Sequence, residues 1–140
     1  PKPFTKRMVL RGKVRSAVAD IPQNVDPDIG HVIRNAFLAF GDGASDARLV
    51  KAGVWIGGGK YSIFQGPWTP RLPAVFVSYD ADKTFDVQVE VDLDKQLATA
   101  TIDGLKFTQP LEPGLRRITH YGCWVLNTSS QFSELEVEGE

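Results

Sequence analysis

The sequence predicts an all-β fold, a two-sheet antiparallel β-sandwich, and three observations carry that expectation. "FDVQVEVDL", residues 85 to 93, alternates Phe85, Val87, Val89, Val91 and Leu93 with Asp86, Gln88, Glu90 and Asp92. That period of two belongs to a strand with one buried face. Thirteen glycines and nine prolines punctuate a series of short apolar segments, as the turns of a sandwich or barrel do. No segment sustains a helical period.

Taken in chain order, "RMVLRGKV" sets Met8, Leu10 and Val14 against Arg7, Arg11 and Lys13, again one face in and one out. "ADIPQNVDPDIGHVIR", about residues 19 to 34, has no strand character, and a long loop inside a compact domain is usually functional or disordered. "NAFLAFGDG" is an almost unbroken apolar run, which suits a strand covered on both sides. "LVKAGVWIGGGKYSIFQG" reads as two strands joined across Gly57, Gly58 and Gly59. "QGPWTPRLP", residues 65 to 73, is irregular and holds Trp68 and Arg71 among three prolines. "AVFVSYD" is a further strand.

After "FDVQVEVDL", "DKQ" turns the chain and "LATATI" returns. "DG" at 103–104 closes a hairpin, because a type I′ turn needs positive φ at both central residues. "LKFTQ" completes a meander. "LRRITHYGCWVLN" is a long strand, and "FSELEVEGE" ends the chain with Leu135 and Val137 inward and Glu134, Glu136 and Glu138 outward.

One domain over residues 1–140 is expected, excised from a larger protein because the chain starts at Pro1 with no signal-like segment. Hydrophobic residues make up 42% and charged residues 24%, the balance of a globular domain. Sixteen basic and seventeen acidic side chains give a formal net charge of −1. That argues against a nucleic-acid partner gripped by a general electrostatic field. No apolar run reaches the ~18 residues of a membrane span. Cys123 is the single cysteine, so an internal disulfide and a CxxC metal site are excluded. Between Gly122 and Trp124 it is expected to be a small buried filler.

The order of signals resembles the concanavalin A-like (LamG/laminarinase-type) jelly-roll sandwiches. "NAFLAFGDG" and a Gly-rich hairpin come first, then "VQVEVDLDKQLATATIDG", then "ITHYGCWVLN…FSELEVEG". The resemblance covers the chain from about Arg34 to its end. It implies a concave and a convex sheet, and it implies membership of a class that holds carbohydrate-binding modules, lectins, glycoside hydrolases and polysaccharide lyases. A structural calcium is frequent in such modules, and the resemblance also implies an extracellular or periplasmic setting. Fold alone does not settle function.

"EVDLD", from Glu90 to Asp94, resembles the E-x-D-x-E signature of the laminarinase-type hydrolases. Retaining glycosidases need two carboxyl groups about 5–5.5 Å apart, and alternate strand residues share a face. The last position is Asp, however, one methylene short. Asp94 begins a turn where a carboxylate caps amides, and the facing strand offers only Thr99 and Thr101. A solvated outer face accounts for Glu90 and Asp92 without catalysis. His31 and His120 lie far apart without metal spacing, there is no G-x-S-x-G elbow, and neither "GDG" nor "GGGK" leads into a helix as a phosphate loop must.

"NVDPDIG" offers Asp26 and Asp28, with Asn24, as oxygen ligands for calcium. The EF-hand spacing fails because Ile29 stands where glycine is needed. No cofactor is required.

Sugar rings stack apolar C–H faces on Trp and Tyr while planar polar groups meet their hydroxyls. Trp55, Tyr61 and Trp68 are the candidate platforms, with Arg34, Asn35, His31, Arg71, His120 and Asn127 as polar partners. Trp124 and Tyr121 are read as core. The basic residues around these loops suit an anionic glycan, since arginine forks match carboxylates and sulfates. The expected function is therefore a non-catalytic carbohydrate-binding module for a polysaccharide or oligosaccharide. The alternatives are a structural domain bracing a neighbouring catalytic domain of the parent chain, and a small hydrolase or lyase.

Overall fold

The computed structural model describes residues 2–17, 35–43, 50–55, 60–65, 75–76, 84–111, 113–126 and 129–140. Among them the strands are β1 (Arg7–Ala17), β2 (Asn35–Gly41), β3 (Val50–Trp55), β4 (Lys60–Gln65) and β5 (Val75–Phe76), followed by β6 (Thr84–Asp92), β7 (Leu97–Ile102), β8 (Leu105–Pro110), β9 (His120–Leu126) and β10 (Ser129–Gly139). The described residues contain no helix. Two five-stranded antiparallel sheets result, ordered β10-β1-β6-β7-β8 and β5-β4-β3-β2-β9. The expected all-β sandwich is the observed fold.

Alternation decides which side chains meet between the sheets. Met8, Leu10 and Val14 of β1 and Phe85, Val87, Val89 and Val91 of β6 are buried with Ala98, Ala100 and Ile102 of β7. The second sheet answers with Ala36, Leu38, Phe40 and Val50. Each valine, leucine, isoleucine, methionine or phenylalanine side chain among these that is taken fully out of water contributes about 1.5–3 kcal/mol. Two buried leucine and isoleucine side chains, Leu115 and Ile118, continue the core beyond the strands. A bridge between Phe4 and Ile118 ties down the N-terminal segment.

The turns follow their residue chemistry. Asp103 and Gly104 both have positive φ, 47° and 82°, as the "DG" hairpin requires. At 93–96 the cap is Asp92, not Asp94: its Oδ1 accepts from the Lys95 amide at 2.9 Å. The strand expected over 115–127 begins only at His120. The β1–β10 ladder is interrupted where Arg11 pairs Glu136 but Lys13 pairs Ser133. Glu134 and Leu135 thus oppose Gly12 in a bulge, and Glu134 sits at φ 52°.

Candidate functional site: the outward face of the second sheet

β2 is the centre of the site because both of its faces are covered. Every residue from Ala36 to Phe40 is buried, the outcome expected of an unbroken apolar run. Ala36, Leu38 and Phe40 belong to the core, so strand alternation turns Phe37 and Ala39 away from it.

Register extends this outward face across the sheet, since directly opposed residues share a face. Phe37 pairs Gly53 on one side and Trp124 on the other. Ala39 pairs Lys51 and Gly122, and Gly41 pairs His120. Asn35 pairs Trp55 and Leu126, and Trp55 pairs Lys60.

The described side chains on these rows are packed together. The Trp124 ring stacks on Phe37, with centroids 5.8 Å apart and planes 20° from parallel. The Lys51 ammonium lies 4.7 Å from the Trp124 ring centroid, within cation–π range, and Lys51 is only 2% exposed. A Cβ on Gly53 would stand against the Ala36 carbonyl and 3.0 Å from Phe37 Cδ1. Glycine there lets the phenyl ring lie close to the sheet.

Trp124 itself remains half-buried. Further along β9, His120 is exposed, and its Nδ1 shares a 2.8 Å hydrogen bond with Thr119 Oγ1. Its ring lies where a Cβ on Gly43 would come within 2.6 Å of Cε1 and Nδ1. Gly43, at φ 72°, makes room for the imidazole.

The sequence candidates divide as follows. Asn35, Trp55 and His120 fall on this outward face by register. Tyr61 pairs Val54, on the row of core residue Ala36, opposite in sense to Trp55. His31, Arg34, Trp68, Arg71 and Asn127 lie outside the described residues, as do the calcium candidates Asp26 and Asp28.

Three expectations are corrected. Trp124 is not core: it faces away from the opposite sheet and rests on Phe37. Tyr121 is on the inward side but 48% exposed, tilted against Phe4 at 6.3 Å. Cys123 is exposed as well. The cause is common to the last two, because among the described residues β9 ends its sheet and its inward row has no neighbouring strand beyond it. Phe37 was missed as a site residue, yet the signal existed. An apolar run covered on both sides must send one of its two phenylalanines outward.

The acids of "EVDLD" are committed elsewhere. Glu90 Oε1 accepts from Arg7 Nε at 2.8 Å, and that hydrogen bond holds its carboxyl below the usual range. The Lys95 amide does the same for Asp92, whose Oδ2 is 3.4 Å from Lys95 Nζ. A glycosidase proton donor needs a raised pKa, and both groups move the other way.

No family model matches this sequence, and none of the curated proteins matches it. Solved structures do. A chicken galectin 2 superposes with a TM-score of 0.62 at 9% identity, over 96% of this chain and 99% of the galectin. An alginate lyase from Pseudomonas aeruginosa gives 0.56 at 13% identity, over 100% of this chain and 69% of the lyase. A two-cysteine variant of alginate lyase A1-II′ gives 0.63 at 15%, over 98% of this chain and 63% of that one. The fold is a concanavalin A-like jelly roll. A galectin and two lyases share it, so the likeness alone does not choose between holding a glycan and cleaving one.

Proposed function

We propose that this chain is a non-catalytic carbohydrate-binding module that holds a polysaccharide or oligosaccharide on the outward face of its second sheet. The observation that carries the reading is the Phe37–Trp124 stack with Lys51 against it, on the face that register also gives to Trp55, Asn35 and His120. A ring held in place offers its half-exposed indole to the apolar C–H groups of a sugar at little entropic cost, and the His120 imidazole supplies a planar hydrogen-bonding group. Arg34, Arg71 and His31 would favour an anionic glycan by their chemistry, and two of the structural neighbours are named for alginate. Affinity per site should be modest, since each sugar hydroxyl exchanges water for protein. The same reading makes the chain one module of a larger extracellular or periplasmic protein. It also gives Asp26 and Asp28 a structural calcium.

Electrophoresis through gels containing alginate, a sulfated glycan or a neutral glucan tests this. Retardation by an acidic glycan, with no sugar released from it in solution, is the expected result. The lyase neighbours favour cleavage as a second reading. Release of unsaturated oligosaccharides from alginate would establish it and overturn the binding-only account.

A further inference from the structure

The first sheet carries a separate feature on its own outward face. A cleft of about 300 Å³ opens there, lined by Arg11, Lys13, Asp86, Gln88, Thr101 and Glu134 among others. It lies at the β1–β10 bulge, and bulges re-aim side chains at sites. Glu134, one of its walls, holds a positive φ of 52°, a conformation that costs a non-glycine residue energy and concentrates at ligand clamps.

Register shows how the lining is assembled. Arg11 pairs Gln88, and Gln88 pairs Thr101, in one row across three strands. Lys13 pairs Asp86 in the next, beside the β7–β8 turn, where Asp103 Oδ1 accepts from the Asp86 amide at 2.9 Å. The walls are already neutralised. Lys13 Nζ is 3.0 Å from Glu134 Oε2, and Arg11 reaches Glu138 at 2.7 Å and Glu136 at 3.4 Å. Gln88 and Thr101 are different. Both are half-buried, and neither side chain has a hydrogen-bond partner among the described residues.

We propose that this cleft is a second saccharide subsite, taking a single neutral sugar residue. The two cations of the lining, Arg11 and Lys13, are already paired with Glu136, Glu138 and Glu134, so an anionic ligand gains little there. A polyol gains more, because each hydroxyl both donates and accepts. The Gln88 amide and Thr101 hydroxyl also do both, while the Asp86 carboxylate accepts. The volume is at the lower end of small-ligand pockets, enough for one ring. This site lies on the other sheet from the Phe37–Trp124 face and does not depend on that face binding anything.

The test is an amide NMR titration of the whole chain with the methyl glycosides of glucose, galactose and mannose, carried to tens of millimolar. At least one glycoside should shift the Gln88 side-chain amide and the backbone amides of Asp86, Gln88 and Thr101. Gln88→Leu and Thr101→Val, each checked for an otherwise unchanged spectrum, should abolish those shifts. Either variant alone suffices if the other fails to fold. Shifts confined to β2 and β9 would support the first face and overturn this subsite. Silence at the cleft amides with all three sugars would overturn it too, as would shifts that survive the variants.

Discussion

Trp124 owes its place to a single residue of parity. In "THYGCWVLN" the even positions His120, Gly122 and Trp124 pair with Gly41, Ala39 and Phe37, the outward members of β2. The odd positions Tyr121, Cys123 and Val125 pair with core residues Phe40, Leu38 and Ala36. The alternation was legible, but its sense was not, because from Tyr121 to Leu126 every side chain on either face is apolar or aromatic. Lys51 posed the opposite difficulty. A lone lysine in "LVKAGV" reads as solvated surface, and only the third dimension brings the Trp124 ring over it. Gln109 raises a further residue-scale question. It is 3% exposed in the edge strand β8, and both its amide atoms lack partners among the described residues. Leaving such groups unsatisfied costs about 1–3 kcal/mol. Gln109→Met keeps the length and removes both atoms, so it should raise stability by roughly 1 kcal/mol, read as a higher urea midpoint with an unchanged slope.

Among the elements, β6 was the most legible and β9 the least. β6 sits between β1 and β7, so its buried and solvated faces differ sharply and the sequence displays the difference. β9 is an edge, where apolar residues stay partly wet and the pattern loses contrast. The outward face of the first sheet behaves as an ion-pair ladder: Arg7 with Glu90, Arg11 with Glu136 and Glu138, Lys13 with Glu134. Solvated pairs of this kind contribute little to stability, because water screens them. Glu90→Gln should therefore cost under about 1 kcal/mol near neutral pH. The sign of its pH dependence follows from Arg7 lowering the folded pKa. The stabilisation is complete above the unfolded glutamate value of ~4.3 and is lost as pH falls through the lower folded value. Urea midpoints of wild type and Glu90→Gln should differ near pH 7 and converge at the acid end. A gap that widens in acid would mean Glu90 is not held by Arg7.

For the whole molecule, the sandwich was readable because burial between two sheets imposes period two on most strands at once. The candidate surface was only half readable. Trp55, Asn35 and His120 reach one face through pairings among β2, β3 and β9, whose partners lie 10 (Phe40 with Val50) to 91 (Asn35 with Leu126) positions apart in sequence. No local pattern encodes which strands become neighbours. The jelly roll thus separates two chemistries: salt-bridged acids on one outer face, and stacked rings with a buried lysine on the other.

In the proposed function the ring-bearing face, and not the acids of "EVDLD", meets the glycan. Gel retardation in alginate of the wild type, Trp55→Ala, Trp124→Ala and Glu90→Gln tests it most directly, with melting curves to verify that each variant is folded. The account predicts that both tryptophan variants migrate as if alginate were absent, while Glu90→Gln is held back like the wild type. Full retardation of both tryptophan variants, or free migration of Glu90→Gln alone, would contradict it.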